Sequence, residues 1–252
     1  HPTYFSVYII FCITILIIGY RNHFLNRRLS LCLVVYFTAF LALLSTRITI
    51  VAILIASVFG LVYFLSKISA NNIKKFAFAA TLIILFVFLS ALNPISLYRD
   101  FQEIRHSTYQ IEPNTIHSNS TTIRLSLWWT GLVTASHVNS LVGAGTGDTQ
   151  NEIQGTARTL SIQNILNSDD PHNQYLHTYI SLGAIGIILL LGCYLIPIRK
   201  AINSQNILHI LFIGLVTMVS FTESFLEAQK GIVFFVLFQS LFLGDHKKIA
   251  TA

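Results

Sequence analysis

Seven apolar stretches run along the chain, at roughly residues 4–20, 29–46, 48–66, 76–92, 174–196, 207–222 and 224–243, each bounded by short polar connections. Runs of this kind read as helices, and about 20 apolar residues suffice to cross a bilayer. The pattern predicts an all-α, multi-pass membrane protein with about seven transmembrane helices. One long segment of mixed polarity interrupts it. The expected organisation is therefore four spans in residues 1–92, a large non-membrane segment in 93–173, and three spans with a short tail in 174–252.

Composition supports the pattern. Of 252 residues, 54% are hydrophobic and only 10% charged, with mean hydropathy +0.66, against about a quarter charged in ordinary soluble domains. Ten of the sixteen Lys and Arg residues fall in alternate connections, around Arg21 to Arg28, Lys67 to Lys75, Arg199–Lys200 and Lys247–Lys248. The positive-inside rule makes those connections cytoplasmic. Arg47, segment 93–173 and the 222–230 turn then lie on the opposite side, together with nine of the ten acidic residues. The net charge of +6 is spread along span ends rather than gathered on one face, so no nucleic-acid partner is expected. Cys12, Cys32 and Cys193 all sit in apolar runs, which argues against a disulfide framework or a zinc site. The chain begins at His1 directly before an apolar run and reads as a piece of something longer, with no visible signal peptide.

Within 93–173, Asn93-Pro94 ends the fourth span, and residues 105–121 are loop-like around Pro113. Residues 122–137 read as an amphipathic helix carrying Arg124, Trp128 and Trp129. Paired tryptophans suit a membrane interface, and secondarily a sugar-stacking surface. Gly143-Ala144-Gly145-Thr146-Gly147 fits neither a Rossmann fingerprint nor a P-loop, so it reads as a turn that permits close packing, with phosphate cradling the lesser alternative. Residues 149–167 read as a second helix of mixed polarity.

Chemistry gathers at the start of the fifth span. Asp170 suits an N-cap and Pro171 the first helical position, which would place His172 in the first turn, where the helix dipole favours neutral imidazole. The plain alternative is an interfacial histidine without chemistry. Arg47 stands in the tight Ser45-Thr46-Arg47 hairpin, where it could equally snorkel to lipid phosphate. Glu223, Glu227 and Lys230 have helical spacing and could pair along one face. Two fixed guanidinium groups, Arg47 and Arg124, suit a diphosphate, and a neutral His172 suits deprotonation of a sugar hydroxyl. No Asp-x-Asp motif occurs, so neither metal nor cofactor is expected.

The sequence resembles the O-antigen ligase family and the related O-antigen polymerases. The motif that carries the resemblance is His172-Asn173, nine residues, then Gly183-Ala184-Ile185-Gly186. His1-Pro2-Thr3-Tyr4-Phe5, Ser45-Thr46-Arg47, Arg124 ahead of a tryptophan, Gly143 to Gly147, and Glu223 to Gly231 are similar in order and placement. Members of that family have more spans, so the chain looks like the C-terminal part of such a protein. The resemblance implies a metal-independent, inverting membrane glycosyltransferase in the bacterial inner membrane, active at its periplasmic face. The donor would be a glycan on undecaprenyl diphosphate and the acceptor a lipid A–core sugar. Arg47 and Arg124 would hold the diphosphate, and His172 would act on the acceptor hydroxyl. Asn173, Asp170, Glu227 and Trp128 are supporting candidates. A polymerase, whose acceptor is a second lipid-linked repeat, is the first alternative, and a protein-acceptor oligosaccharyltransferase the second. A transporter is the alternative of another class, but it would be expected to place ionisable groups near the midplane.

Overall fold

The computed structural model describes residues 2–21, 25–44, 120–161 and 170–244. Among these the chain is all helical, with seven helices and no strand. They are α1 (Pro2–Arg21), α2 (Arg27–Leu44), α3 (Ser120–His137), α4 (Thr149–Thr159), α5 (Gln174–Asn203), α6 (Ile207–Val219) and α7 (Gln229–Gly244). The expected spans at 48–66 and 76–92, the loop around Pro113, and Arg47 lie outside the described residues. The chain divides into two compact units, residues 1–109 and 110–252.

In the first unit α1 and α2 pack as an antiparallel pair. Phe5, near the start of α1, meets Phe40, near the end of α2, edge-on at 5.7 Å between ring centres. Val7 and Phe11 are buried. Nearly every α1 side chain is apolar, as expected of a helix that meets protein on one side and lipid on the other.

The second unit is built around α5, α6 and α7. Phe212 of α6 is fully buried among Phe234, Phe235, Phe238 and Phe242 of α7, at ring distances of 5.6–6.1 Å. Such aromatic pairs add to the area they bury. Two helices, Pro2–Tyr20 and Gln174–Asn203, are long and apolar enough to cross a membrane. Helices α6 and α7 are apolar but shorter.

Helix α5 is not the continuous span that the sequence pattern predicts. At Gly183 the backbone turns to φ 62, ψ −154, which no helix contains. Residues 184–203 beyond the break still reach about 30 Å at 1.5 Å per residue, enough for a bilayer core. A break frees carbonyls on one side and N–H groups on the other, and these must be satisfied away from water. The loop of residues 140–145 satisfies them. Ala144 and Gly145 donate to the carbonyls of Ile180 and Ser181 at 2.8 and 2.9 Å, while Ala184 and Ile185 donate to those of Ser140 and Leu141 at 2.8 and 3.2 Å.

The glycines of the two segments make this docking possible. A Cβ on Gly143 would lie 2.5 Å from the Ser181 carbonyl carbon, and one on Gly183 would lie 2.4 Å from that of Leu141. The glycine-rich stretch is thus a packing turn, as its sequence suggests. Its partner is the backbone of the motif glycine itself.

Candidate functional site

The site forms where α3, the start of α5 and the 220–228 turn meet. The helix start differs from the sequence expectation. Asn173, not Asp170, caps α5, its side-chain oxygen accepting from the N–H groups of Tyr175 and Leu176 at 3.0 and 3.1 Å. Pro171 and His172 therefore precede the helix. Asp170 instead closes a local turn, accepting from the His172 N–H at 2.9 Å, and it also takes a very short hydrogen bond from the Ser224 hydroxyl. An Asx turn and a cap compete for the same three residues, and Asn173, two residues beyond Pro171, wins the cap.

This arrangement forces His172 into the left-handed region, at φ 48. For a side chain other than glycine that conformation costs about 1–2 kcal/mol and needs outside support. Support comes from three directions. The N–H is held by Asp170, the carbonyl accepts from the Trp128 indole N–H at 3.4 Å, and Nδ1 lies 3.0 Å from Glu223 Oε2. Trp128 thus holds the histidine backbone, while its neighbour Trp129 is exposed. Helix α3 approaches closely because residue 131 is glycine, where a Cβ would lie 3.1 Å from the Pro171 ring.

Glu223 is the centre of the site. Its side chain is only 4% exposed, yet it carries two partners on separate oxygens. Oε2 meets His172, and Oε1 accepts from Arg124 Nη2 at 2.9 Å. Arg124 Nη1 also donates to the Thr222 carbonyl at 3.1 Å. The arginine is the outer member, 37% exposed. Arg124 and His172, separated by 48 positions in the sequence, are therefore joined through one carboxylate.

The electrostatics follow. The hydrogen bond to Glu223 raises the His172 pKa above its ordinary value, against the opposing effect of burial, with the charges of Glu223 and Asp170 adding to the rise and Arg124 reducing it. The helix-dipole effect expected from sequence has the opposite sign. It fails because His172 lies before the helix, beside a carboxylate. Burial pushes Glu223 upward, but the hydrogen bond and charge of His172, together with Arg124, outweigh it, so its pKa falls below the usual carboxylate range. An ionised Glu223 accepts a hydrogen bond from Nδ1–H, which leaves Nε2 of a neutral His172 as the basic nitrogen.

Glu223, Glu227 and Lys230 do not share a helix face, because residues 220–228 are a turn and α7 starts only at Gln229. Glu227 meets His177 instead, with Oε1 3.1 Å from Nδ1. Gln174 ties the turn to α5: its N–H donates to the Ser220 carbonyl at 2.8 Å, its Oε1 accepts from the Leu226 N–H at 2.6 Å, and its Nε2 donates to Glu227 at 3.0 Å. Asn173 adds a bond to the Phe221 carbonyl at 3.2 Å.

Of the residues singled out from sequence, Arg124, His172, Asn173, Asp170, Trp128 and Glu227 all belong to this assembly. Arg47 lies outside the described residues. From sequence, Glu223 reads with Glu227 and Lys230 as a group that could pair along a helix face, a reading slightly preferred to a direct catalytic role. The signal for more was an acid between two apolar runs in a chain with few acids.

Residues 31–191 match the family model described as O-antigen ligase, which covers most of the chain and includes Arg124 and His172, while Glu223 falls beyond it. No curated protein and no solved structure gives a significant match. The matched length, the all-helical build and the apolar helices agree, and the chain belongs to the O-antigen ligase family of membrane glycosyltransferases.

Proposed function

We propose that this chain transfers a glycan from undecaprenyl diphosphate to a lipid A–core sugar at the periplasmic face of the bacterial inner membrane, by inversion at the anomeric carbon and without a metal. The observation that carries the proposal is the bridging of Arg124 and His172 by the buried carboxylate of Glu223.

In this reading the acceptor hydroxyl gives its proton to His172 Nε2 as its oxygen forms a bond to the anomeric carbon. The bond from that carbon to the phosphate oxygen breaks, and its electron pair leaves with the diphosphate. Arg124, with Arg47, neutralises the charge that develops there. Glu223 fixes the imidazole tautomer and stabilises the imidazolium. The raised His172 pKa suits a base that must accept a proton near neutral pH. Seven spans, with residues 93–173 periplasmic, would set the site at the outer mouth of the bundle.

The test is a cell-free assay with purified, membrane-embedded protein and lipid-linked donor, offered with lipid A–core or alone. Glycan attached to lipid A–core, lost in His172→Ala, is the expected product. Chain growth on the donor alone would instead identify a polymerase. Full activity of His172→Ala would overturn the catalytic role.

A further inference from the structure

A second imidazole–carboxylate pair, His177 with Glu227, joins the start of α5 to the 220–228 turn, as His172 with Glu223 does. His177 stands in the first turns of α5, and Glu227 stands four residues after Glu223 in the same turn. The two pairs therefore flank the Asn173 cap and share the 220–228 segment.

The second pair is held differently. Glu227 Oε1 is saturated from within, by His177 Nδ1 at 3.1 Å and Gln174 Nε2 at 3.0 Å. Gln174 is only 2% exposed and all its polar atoms are used, on Leu226, Thr178, Glu227 and the Ser220 carbonyl. A buried amide thus orients a carboxylate whose side chain is 45% exposed, beside an imidazole that is 16% exposed. Glu227 Oε2 and His177 Nε2 have no hydrogen-bond partner among the described residues.

When the imidazole is neutral and Nδ1–H donates inward, both outward atoms are acceptors. Two adjacent acceptors, one of them anionic, repel phosphate and match a pair of O–H donors. Vicinal hydroxyls of a sugar present that pattern. The His177 hydrogen bond, the largest influence, also holds the Glu227 pKa below the usual carboxylate range, so the oxygen is anionic at neutral pH.

We propose that His177 and Glu227 form a sugar-hydroxyl subsite next to the reacting centre, held in place by Gln174. It rests on the transfer reading given above and adds to it where a sugar ring is gripped. Both residues are positioning residues, since neither touches the diphosphate or the transferred proton. The sugar is either the acceptor or the donor's first residue, and kinetics separate the two.

The test uses the membrane-embedded protein with Glu227→Gln, which keeps shape and an inward acceptor but turns one outward acceptor into a donor. The expected result is a rise in KM on the order of tenfold, the worth of one charge-assisted hydrogen bond, with kcat changed less than threefold. A rise in acceptor KM assigns the acceptor sugar, and a rise in donor KM the donor sugar. A substrate deoxygenated at the gripped hydroxyl should lose a similar factor with wild type and nothing more with Glu227→Gln. His177→Gln, assayed in the same way, should raise the same KM. Unchanged KM values overturn the subsite, as does a fall in kcat and thermal stability alone. Absence of glycan transfer by the wild type, with lipid A–core or with donor alone, would instead overturn the transfer reading, so the two failures are distinct.

Discussion

Glu223→Gln is the most searching substitution, because one carboxylate serves both proposed groups. The amide keeps the size of the side chain and removes its charge. Its oxygen can still face Arg124, but its NH2 then faces His172 Nδ1, which is 3.0 Å away in the wild type. A donor there forces the imidazole proton onto Nε2, the nitrogen the acceptor needs free. Wrong-tautomer substitutions of this kind lower turnover by about 10⁴ in the serine-protease triad. A loss of about 10³–10⁴ is expected here, or about 4–5.5 kcal/mol of transition-state stabilisation. The cost in folding is smaller. Arg124 is more than a third exposed and rehydrates, so about 1–2 kcal/mol is expected from the His172 side alone. The pH profile gives a second readout. The main cause of the raised His172 pKa disappears, so the acid limb of any residual activity should move to lower pH. Glu223→Asp keeps the charge on a shorter arm and should retain more activity, with the acid limb near its wild-type position. The assay is initial-rate glycan transfer over a pH series, at equal amounts of inserted protein. Turnover of Glu223→Gln within tenfold of wild type, or an unmoved acid limb, would refute the reasoning.

Arg124→Ala and Arg47→Ala should each abolish transfer while membrane insertion, followed by fractionation, stays intact; normal transfer by either variant removes that arginine from the diphosphate site. In the wild type, activity should rise with pH through a value above that of ordinary histidine, because the base form is the active one and Glu223 favours the acid form. The stability of the cluster has the opposite signs at its two ends. The imidazolium–carboxylate pairing is fully present below the unfolded His value and is lost as pH rises through the raised folded value; the Glu223 contribution is present above the unfolded carboxylate value and is lost as pH falls through the depressed folded one, both readable from thermal unfolding against pH. Gly183→Ala combines a backbone at φ 62 with a Cβ 2.4 Å from a backbone carbon, and should cost about 2–5 kcal/mol, seen as a lowered melting temperature and lost transfer. Gly147→Ala, with nothing within 4 Å of its Cβ, is the control and should be nearly neutral.

Much of the local structure was legible from the chain. Apolar runs located α1, α2 and α6 to within a few residues, because lipid and core both demand apolar surface at helical length; α5 runs on to Asn203 rather than ending near 196, and α7 starts at Gln229 rather than 224. The mixed segment yielded α3 and the beginning of α4 from periodicity alone, although α4 closes at Thr159, before the expected end at residue 167. Arg124 and His172 could be singled out because charges and imidazoles near apolar runs are costly and few. The helix start at Asn173 was not legible, since Asp170 and Asn173 are both competent caps and only contacts with Ser224 and Phe221 decide between them.

The sequence by itself determined which residues could do chemistry here: its alternation of apolar runs and charges fixes helix positions through local, periodic physics. Only the tertiary structure decided what those residues do to one another. Glu223 comes from a turn 51 positions beyond His172, and its ionisation sets the histidine's tautomer and raises its pKa, an effect that depends on a distance of 3.0 Å. The break at Gly183 likewise follows from the loop at 140–145, which supplies the hydrogen bonds the helix gives up. Electrostatic and hydrogen-bond energies fall steeply with separation in space, and separation along the chain carries no information about them.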